Sequence, residues 1–189
     1  MISNTKLFQI GSFNFKLHHF AVIGILLLSF SISYAIKSQT LDYGNELNEF
    51  DPFFNFRATE YIVENGFSEY FEWHDDKSWY PTGRDVSATS QTMLHITAAI
   101  SYEIFGGNSS LYDFTIYFPL VISSLSIFVI FVLVRLFAGT TAGLISSLLI
   151  AISLPIAVRG MAVWFKSEPL GLFYGLLGLY LFLSGINSQ

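Results

Sequence analysis

Uninterrupted apolar stretches leave this chain few folds to choose from. Residues 20 to 36, 115 to 137, 142 to about 158 and 169 to 186 contain no acidic residue, and Arg135 is the one cation among them. Each stretch is about as long as the ~17–25 residues that a transmembrane helix requires. In hydrocarbon every backbone N–H and C=O must be satisfied inside the segment, so helices are the expected state. The expected fold class is an all-α polytopic membrane protein with about four transmembrane helices. Charged residues make up only 12% of the chain, half the share of an ordinary globular domain, which agrees with that class. A cleaved signal peptide is the competing reading of the first stretch, because Lys6 and Lys16 precede it without an acid. No convincing small-x-small cleavage site follows it, and the later spans make this a membrane protein either way.

Charge is distributed unevenly along the chain. Of fourteen acidic residues, thirteen lie between Asp42 and Asp113, and the remaining one is Glu168. The excess of cations on cytoplasmic flanks places the first nineteen residues inside and the acidic region outside. Three segments follow: 1–36, the N-terminus and first span; 37–114, a long external loop; and 115–189, three spans with a second external loop at 159–168. Ala88 to Phe105 is helical in pattern but carries Gln91, His95 and Glu103 and is short for a span. An amphipathic helix on the outer surface is expected there. Asn108-Ser109-Ser110 is an N-x-S acceptor pattern, which suits an external loop. A net charge of −5 excludes a general nucleic-acid binder. The absence of cysteine excludes a disulfide framework, a zinc knuckle and a thiol nucleophile. The histidines show no metal-ligand spacing and read as structural.

The most informative polar stretch is Asn48-Glu49-Phe50-Asp51-Pro52-Phe53-Phe54-Asn55-Phe56-Arg57. Pro52 disfavours helical dihedrals at Asp51 and suits a first helical turn, so a helix capped by Asp51 and ending at Asn65 before Gly66 is expected. Glu49 and Asp51 are two apart and point to one side of an extended chain. Two readings stay open for them, a simple helix cap or a site for a hard divalent cation beside a positive helix end. Asp75-Asp76 is either a second ligand pair or, as the surrounding polar residues favour, a solvated loop. The external loop Arg159 to Glu168 brings Arg159, Lys166 and Glu168 to the same face as Asp51. Cations held outside against the usual bias serve either an anionic target such as phosphate or as snorkelling anchors.

These residues carry a resemblance. Glu49-Phe50-Asp51-Pro52-Phe53-Phe54-Asn55-Phe56-Arg57-Ala58-Thr59-Glu60 and Trp73-His74-Asp75-Asp76-Lys77-Ser78-Trp79-Tyr80-Pro81-Thr82-Gly83-Arg84 are similar to the first two external-loop blocks of the oligosaccharyltransferase catalytic subunit. The resemblance covers nearly the whole chain and implies a GT-C-like N-terminal core. It implies transfer of an oligosaccharide from a polyprenyl phosphate or diphosphate carrier to asparagine in N-x-S/T sequons of acceptor proteins. It implies that Asp51 binds a catalytic Mn²⁺ or Mg²⁺ and holds the acceptor amide, that Arg159 is needed for activity, and that Glu168 is the last acid of a second motif and a metal ligand. Glu49, Arg57, Trp79, Arg84 and Lys166 are the implied substrate contacts. Lys166 departs from the pattern, standing where the family usually has an aspartate, and would contact the donor phosphate as a point charge. Family members continue into further helices and an external domain that reads the sequon, so this stretch alone is expected to lack acceptor recognition. The membrane would be the cell membrane in an archaeon and the endoplasmic reticulum in a eukaryote. Another polyprenyl-sugar transferase with a hydroxyl acceptor and a truncated non-catalytic paralogue are the competing functions.

Overall fold

The structure is a computed structural model and describes residues 6–10 and 13–187. A short antiparallel hairpin, β1 (Lys6–Ile10) and β2 (Phe13–Lys16), precedes the first long helix, α1 (Leu17–Ser38). The 22 residues of α1 rise about 1.5 Å each and so span about 33 Å, enough for a hydrocarbon core of about 30 Å. A 3-10 turn (Gln39–Tyr43) then leads into the polar region between the first two long helices.

That region holds α2 (Phe50–Asn65), α3 (Phe67–Glu72), the two-residue strands β3 (His74–Asp75) and β4 (Arg84–Asp85), α4 (Val86–Thr89) and α5 (Thr92–Phe105). The expected helix ends at Asn65, and the Gly66 N–H closes its last turn on Ile62 O at 2.8 Å. Its start differs from expectation. Glu49, not Asp51, is the cap residue, and Asp51 lies in the first turn. Pro52 is the third helical residue, where no N–H is needed, so the helix reaches back past Asp51. The expected helix over 88–105 also divides: Ser90 is extended and α5 begins only at Thr92. Its Leu94, His95, Ala98 and Ala99 are buried, while Met93, Ile104 and Phe105 are exposed.

The longest helix, α6 (Leu111–Ile152), has 42 residues, which would run about 63 Å if straight, about twice the membrane core. It does not run straight. Gly139 at φ 83°, ψ 174° breaks it into an outgoing arm, 111–138, and a return arm, 140–152. A left-handed φ is costly for any residue with a Cβ, so glycine permits the reversal. The arms lie antiparallel: Ser147 Oγ donates to Ile127 O at 3.2 Å, and a Cβ on Gly143 would lie 2.9 Å from Phe131 O. The return path continues through α7 (Leu154–Arg159) to the loop 160–167 and then α8 (Glu168–Asn187).

Among the described residues, three helices are long and apolar enough to cross a membrane, α1, α6 and α8, and the folding of α6 on itself gives four apolar passes. Their packing has the sign expected in lipid. Ser29, Ser33, Ser124 and Ser147 are buried, whereas Leu27, Leu28, Leu149, Leu181 and Phe182 are exposed. Small and hydroxylated residues let helices approach where no hydrophobic force separates lipid from protein. The Ser33 and Ser124 hydroxyls meet at 3.2 Å between α1 and α6.

Candidate functional site

The start of α2 and the loop 160–167 are joined by backbone and side-chain bonds, which bring distant acids and cations together. Asn48 N–H donates to Val163 O at 3.2 Å, and Val163 N–H donates to Ile116 O at 3.0 Å. Asn55 Nδ2 donates to Phe165 O at 2.9 Å. Leu47, Val163 and Phe165 are buried here with Leu94, Ile116 and Phe118, so an apolar cluster backs the polar one. Glu49 (φ 72°) and Val163 (φ 65°) both occupy the left-handed region. For a β-branched residue that conformation is a genuine outlier, and strain of this kind persists only where the surroundings over-determine it.

A cavity of about 270 Å³ opens at this junction, lined by Asp51, Phe54, Asn55, Arg84, Gln91, Lys166, Ser167 and Glu168. Asp51 sits in the first turn of α2 and Glu168 in the first turn of α8, so each carboxylate lies at the positive end of a helix. Lys166 Nζ is 2.6 Å from Glu49 Oε2 and 3.3 Å from Asp51 Oδ2, and it lies 4.4 Å from the centre of the Trp164 ring. Burial works against the lysine's charge, but hydrogen bonds to Glu49 and Asp51, and their charges, outweigh it and hold its pKa above the usual lysine value. Arg159 Nη1 lies 3.3 Å from Glu168 Oε1. Arg84 stacks on Phe54 at 4.3 Å and on Trp79 at 4.5 Å. Burial draws its pKa below the usual arginine value, with Asp75, Tyr70 and Asp51 opposing the shift.

Of the residues singled out by sequence, Asp51, Arg84, Lys166 and Glu168 line one cavity, Glu49 reaches it through Lys166, and Arg159 through Glu168. Trp79 is 59% exposed and touches the site only as the platform for Arg84. Arg57 stands apart. It is ion-paired with Asp75 and lines a separate cavity with Tyr61, Trp73 and Asp75. That pair corrects the solvated-loop expectation for Asp75, which is buried and also accepts from Ser78 Oγ and Lys77 N–H; Asp76 is exposed.

Asn55 is a cavity-lining residue that sequence reasoning misses. It lies one helical turn after Asp51 on the same face, and that i, i+4 spacing is the available signal. Its side chain spans two elements. With Nδ2 donating to Phe165 O, Oδ1 accepts from His95 Nε2 at 3.0 Å, and Tyr70 O–H donates to His95 Nδ1 at 2.6 Å. His95 is fully buried. Burial, helped by the nearby Arg84 charge, pushes its pKa down to about 3, so it is neutral and structural as expected.

The Glu49–Asp51 pair, as observed, does not fit a divalent cation. The nearest oxygens on Glu49 and Asp51, across the α2 start, both face Lys166 Nζ. Among the described residues no group of three His, Asp or Glu converges as a metal site.

Residues 15–189 match the family model described as oligosaccharyl transferase STT3, N-terminal. The chain belongs to the STT3 family. Among curated STT3 subunits it is 31% identical to the dolichyl-diphosphooligosaccharide–protein glycosyltransferase subunit STT3B of Arabidopsis thaliana, over 98% of this chain and 26% of that protein. It is 28% identical to subunit STT3A of Oryza sativa subsp. japonica, over 88% of this chain and 21% of that one. The chain thus spans about a quarter of the length of the STT3 relatives it matches. The fold is shared with the archaeal oligosaccharyltransferase AglB from Archaeoglobus fulgidus, solved with an inhibitory peptide and a dolichol-phosphate. The TM-score is 0.75 at 21% identity, covering 90% of this chain and 20% of that one. The apo form of the Archaeoglobus enzyme gives 0.74 at 21% identity, covering 88% and 20%. An N-terminal STT3 region, helical and membrane-embedded, is the structural setting of the cavity.

Proposed function

We propose that this chain supplies the first part of the active site of a membrane oligosaccharyltransferase acting in protein N-glycosylation. The observation that carries the reading is the meeting of Asp51 and Glu168, from the starts of α2 and α8, in one cavity with Lys166, and with Arg159 paired to Glu168. The donor is an oligosaccharide on a dolichyl phosphate or diphosphate, and the acceptor is an asparagine amide in an N-x-S/T sequon. Membrane lipid and acceptor protein complete the partners.

An amide nitrogen is a poor nucleophile because its lone pair is delocalised into the carbonyl. Asp51, 75% exposed at its side chain, is free to accept an N–H from such an amide and orient it. As nitrogen attacks the anomeric carbon, the carbon–oxygen bond to phosphate breaks and the proton on nitrogen passes to a carboxylate. The electron pair leaves with the phosphate oxygen, where fixed cations stabilise charge that develops in the transition state. Lys166 and Arg159 are the cations in place for that task. Asn55, tied to His95 and to Phe165 O, fixes the spacing between the amide side and the phosphate side.

The test is transfer of a dolichyl-linked oligosaccharide to a fluorescent Asn-x-Thr peptide in membranes from cells producing the natural protein. Transfer that disappears in Asp51→Asn, with the polypeptide still in the membrane, supports the reading. Transfer unaffected by that change refutes it. One observation favours a non-catalytic alternative: Lys166 engages Glu49 and Asp51 together. The same assay separates the two, since a non-catalytic member transfers nothing.

A further inference from the structure

Resting on the proposed phosphate chemistry, we propose that the Lys166 ammonium occupies the place of a divalent cation in this centre, which takes the phosphate oxyanion of its substrate without a metal. Three observations converge. The first is steric. Glu49 Oε2 and Asp51 Oδ2 both close on Lys166 Nζ, at 2.6 and 3.3 Å. Magnesium binds carboxylate oxygens at about 2.0–2.1 Å in near-octahedral geometry. An ion bridging these oxygens would fall inside the volume of the ammonium.

The second is containment. The side chain of Lys166 is only 12% exposed. The Trp164 ring lies 4.4 Å from Nζ, a cation–π arrangement that holds the charge in place. Asn55 pins the same strand of chain through Phe165 O, so the lysine stem starts from a fixed point. Swinging the ammonium aside for a metal would cost the ring contact and both carboxylate bonds at once.

The third is charge balance. Glu49, Asp51 and Glu168 are matched by Arg84, Arg159 and Lys166, either in direct ion pairs or across the same cavity. Three negative groups against three positive ones leave nothing for a divalent ion to neutralise. A carboxylate in place of Lys166 would leave the same set two charges negative, which is the charge that one Mg²⁺ or Mn²⁺ supplies. Lys166 therefore does two jobs that a metal would do: it screens Glu49 from Asp51, and it offers a positive group to the cavity. Repulsion between that ammonium and an incoming divalent ion disfavours binding further.

Manganese is the probe, since its paramagnetic resonance signal reports free ion directly. The 189-residue chain in detergent micelles is titrated beside Lys166→Asp and Lys166→Met, each checked for helicity by circular dichroism. The wild-type chain is expected to leave Mn²⁺ free up to about 1 mM, the weak end of protein sites. Lys166→Asp is expected to bind at least about tenfold more tightly, a factor worth about 1.4 kcal/mol. Lys166→Met, which removes charge without adding a ligand, is expected to bind more tightly than wild type as well, and keeps the test open if Lys166→Asp misfolds. Wild-type binding as tight as that of both variants overturns the proposal. In the natural protein, transfer is expected to survive a chelator; loss of about tenfold or more, restored by Mn²⁺, also overturns it. Absence of transfer under every condition counts against the transferase reading, while the manganese titration still decides the role of Lys166.

Discussion

At the level of single residues, the site is built from groups whose roles separate by environment. Asp51 is exposed and sits at a helix start, so replacing it by Asn removes charge without disturbing packing. Transfer in Asp51→Asn is expected to fall by about 10²-fold or more while thermal stability stays within about 0.5 kcal/mol of wild type. Arg159→Ala should lower transfer by about 10²- to 10³-fold, the usual loss when a charge-stabilising donor is removed, with peptide affinity little changed. His95 behaves in the opposite way, because it touches no solvent and links Asn55 to Tyr70. Its pKa is depressed to about 3, so the unfolded chain binds a proton that the native chain refuses between the ordinary histidine value of 6.5 and 3. Stability from this group is fully present above the ordinary histidine value and is lost as pH falls below it, by about 1.4 kcal/mol per unit. His95→Gln should flatten that acid limb in a thermal melt. The carboxylates and Arg159 are legible from sequence because charges stand out in an apolar chain. The Lys166–Glu49 contact is not, since a pairing across 117 positions depends on how the loop 160–167 is folded back.

Helices and turns show why some boundaries are readable and others are not. Gly66 ends α2 as expected because a terminating glycine acts locally, through the bond from its own N–H to Ile62 O. The start of α2 lies two residues from its expected place because Pro52 is compatible with any position in the first turn. The break at Ser90 escapes a sequence reading because no Gly or Pro marks it; beside it Tyr70 and Val86 are buried together, and the Tyr70 hydroxyl lies 3.4 Å from Ser90 Oγ. The reversal in α6 is readable from Ala138-Gly139-Thr140-Thr141, where Gly139 leaves helical dihedrals. A φ of 83° at Gly139 is unsuited to a β-branched residue. Gly139→Val should therefore destabilise the chain by more than about 1 kcal/mol. Gly143→Leu should do so through contact, since even a Cβ there would press on Phe131 O. Both are measurable as loss of the monomer peak on heating in detergent. Neither change touches the cavity.

For the molecule as a whole, sidedness is the property most directly open to measurement. The chain has no cysteine, so single-cysteine variants give an unambiguous readout. Phe50→Cys and Ser167→Cys should react with a membrane-impermeant maleimide from one side, and Thr141→Cys only from the other. The sequence points to that sidedness through the acids that cluster in one loop and in Glu168. The inward face of α5 is not, because its burial comes from α2 rather than from its own pattern. The cavity itself joins chain segments made far apart in time. Glu49 and Lys166 are 117 residues apart. At about 5–20 residues per second the ribosome needs roughly 6 to 23 s to produce the second after the first. Through that interval the two early carboxylates lack the lysine that faces them in the finished fold. The cavity is thus complete only after the hairpin of α6 has formed and the loop 160–167 has packed against the start of α2.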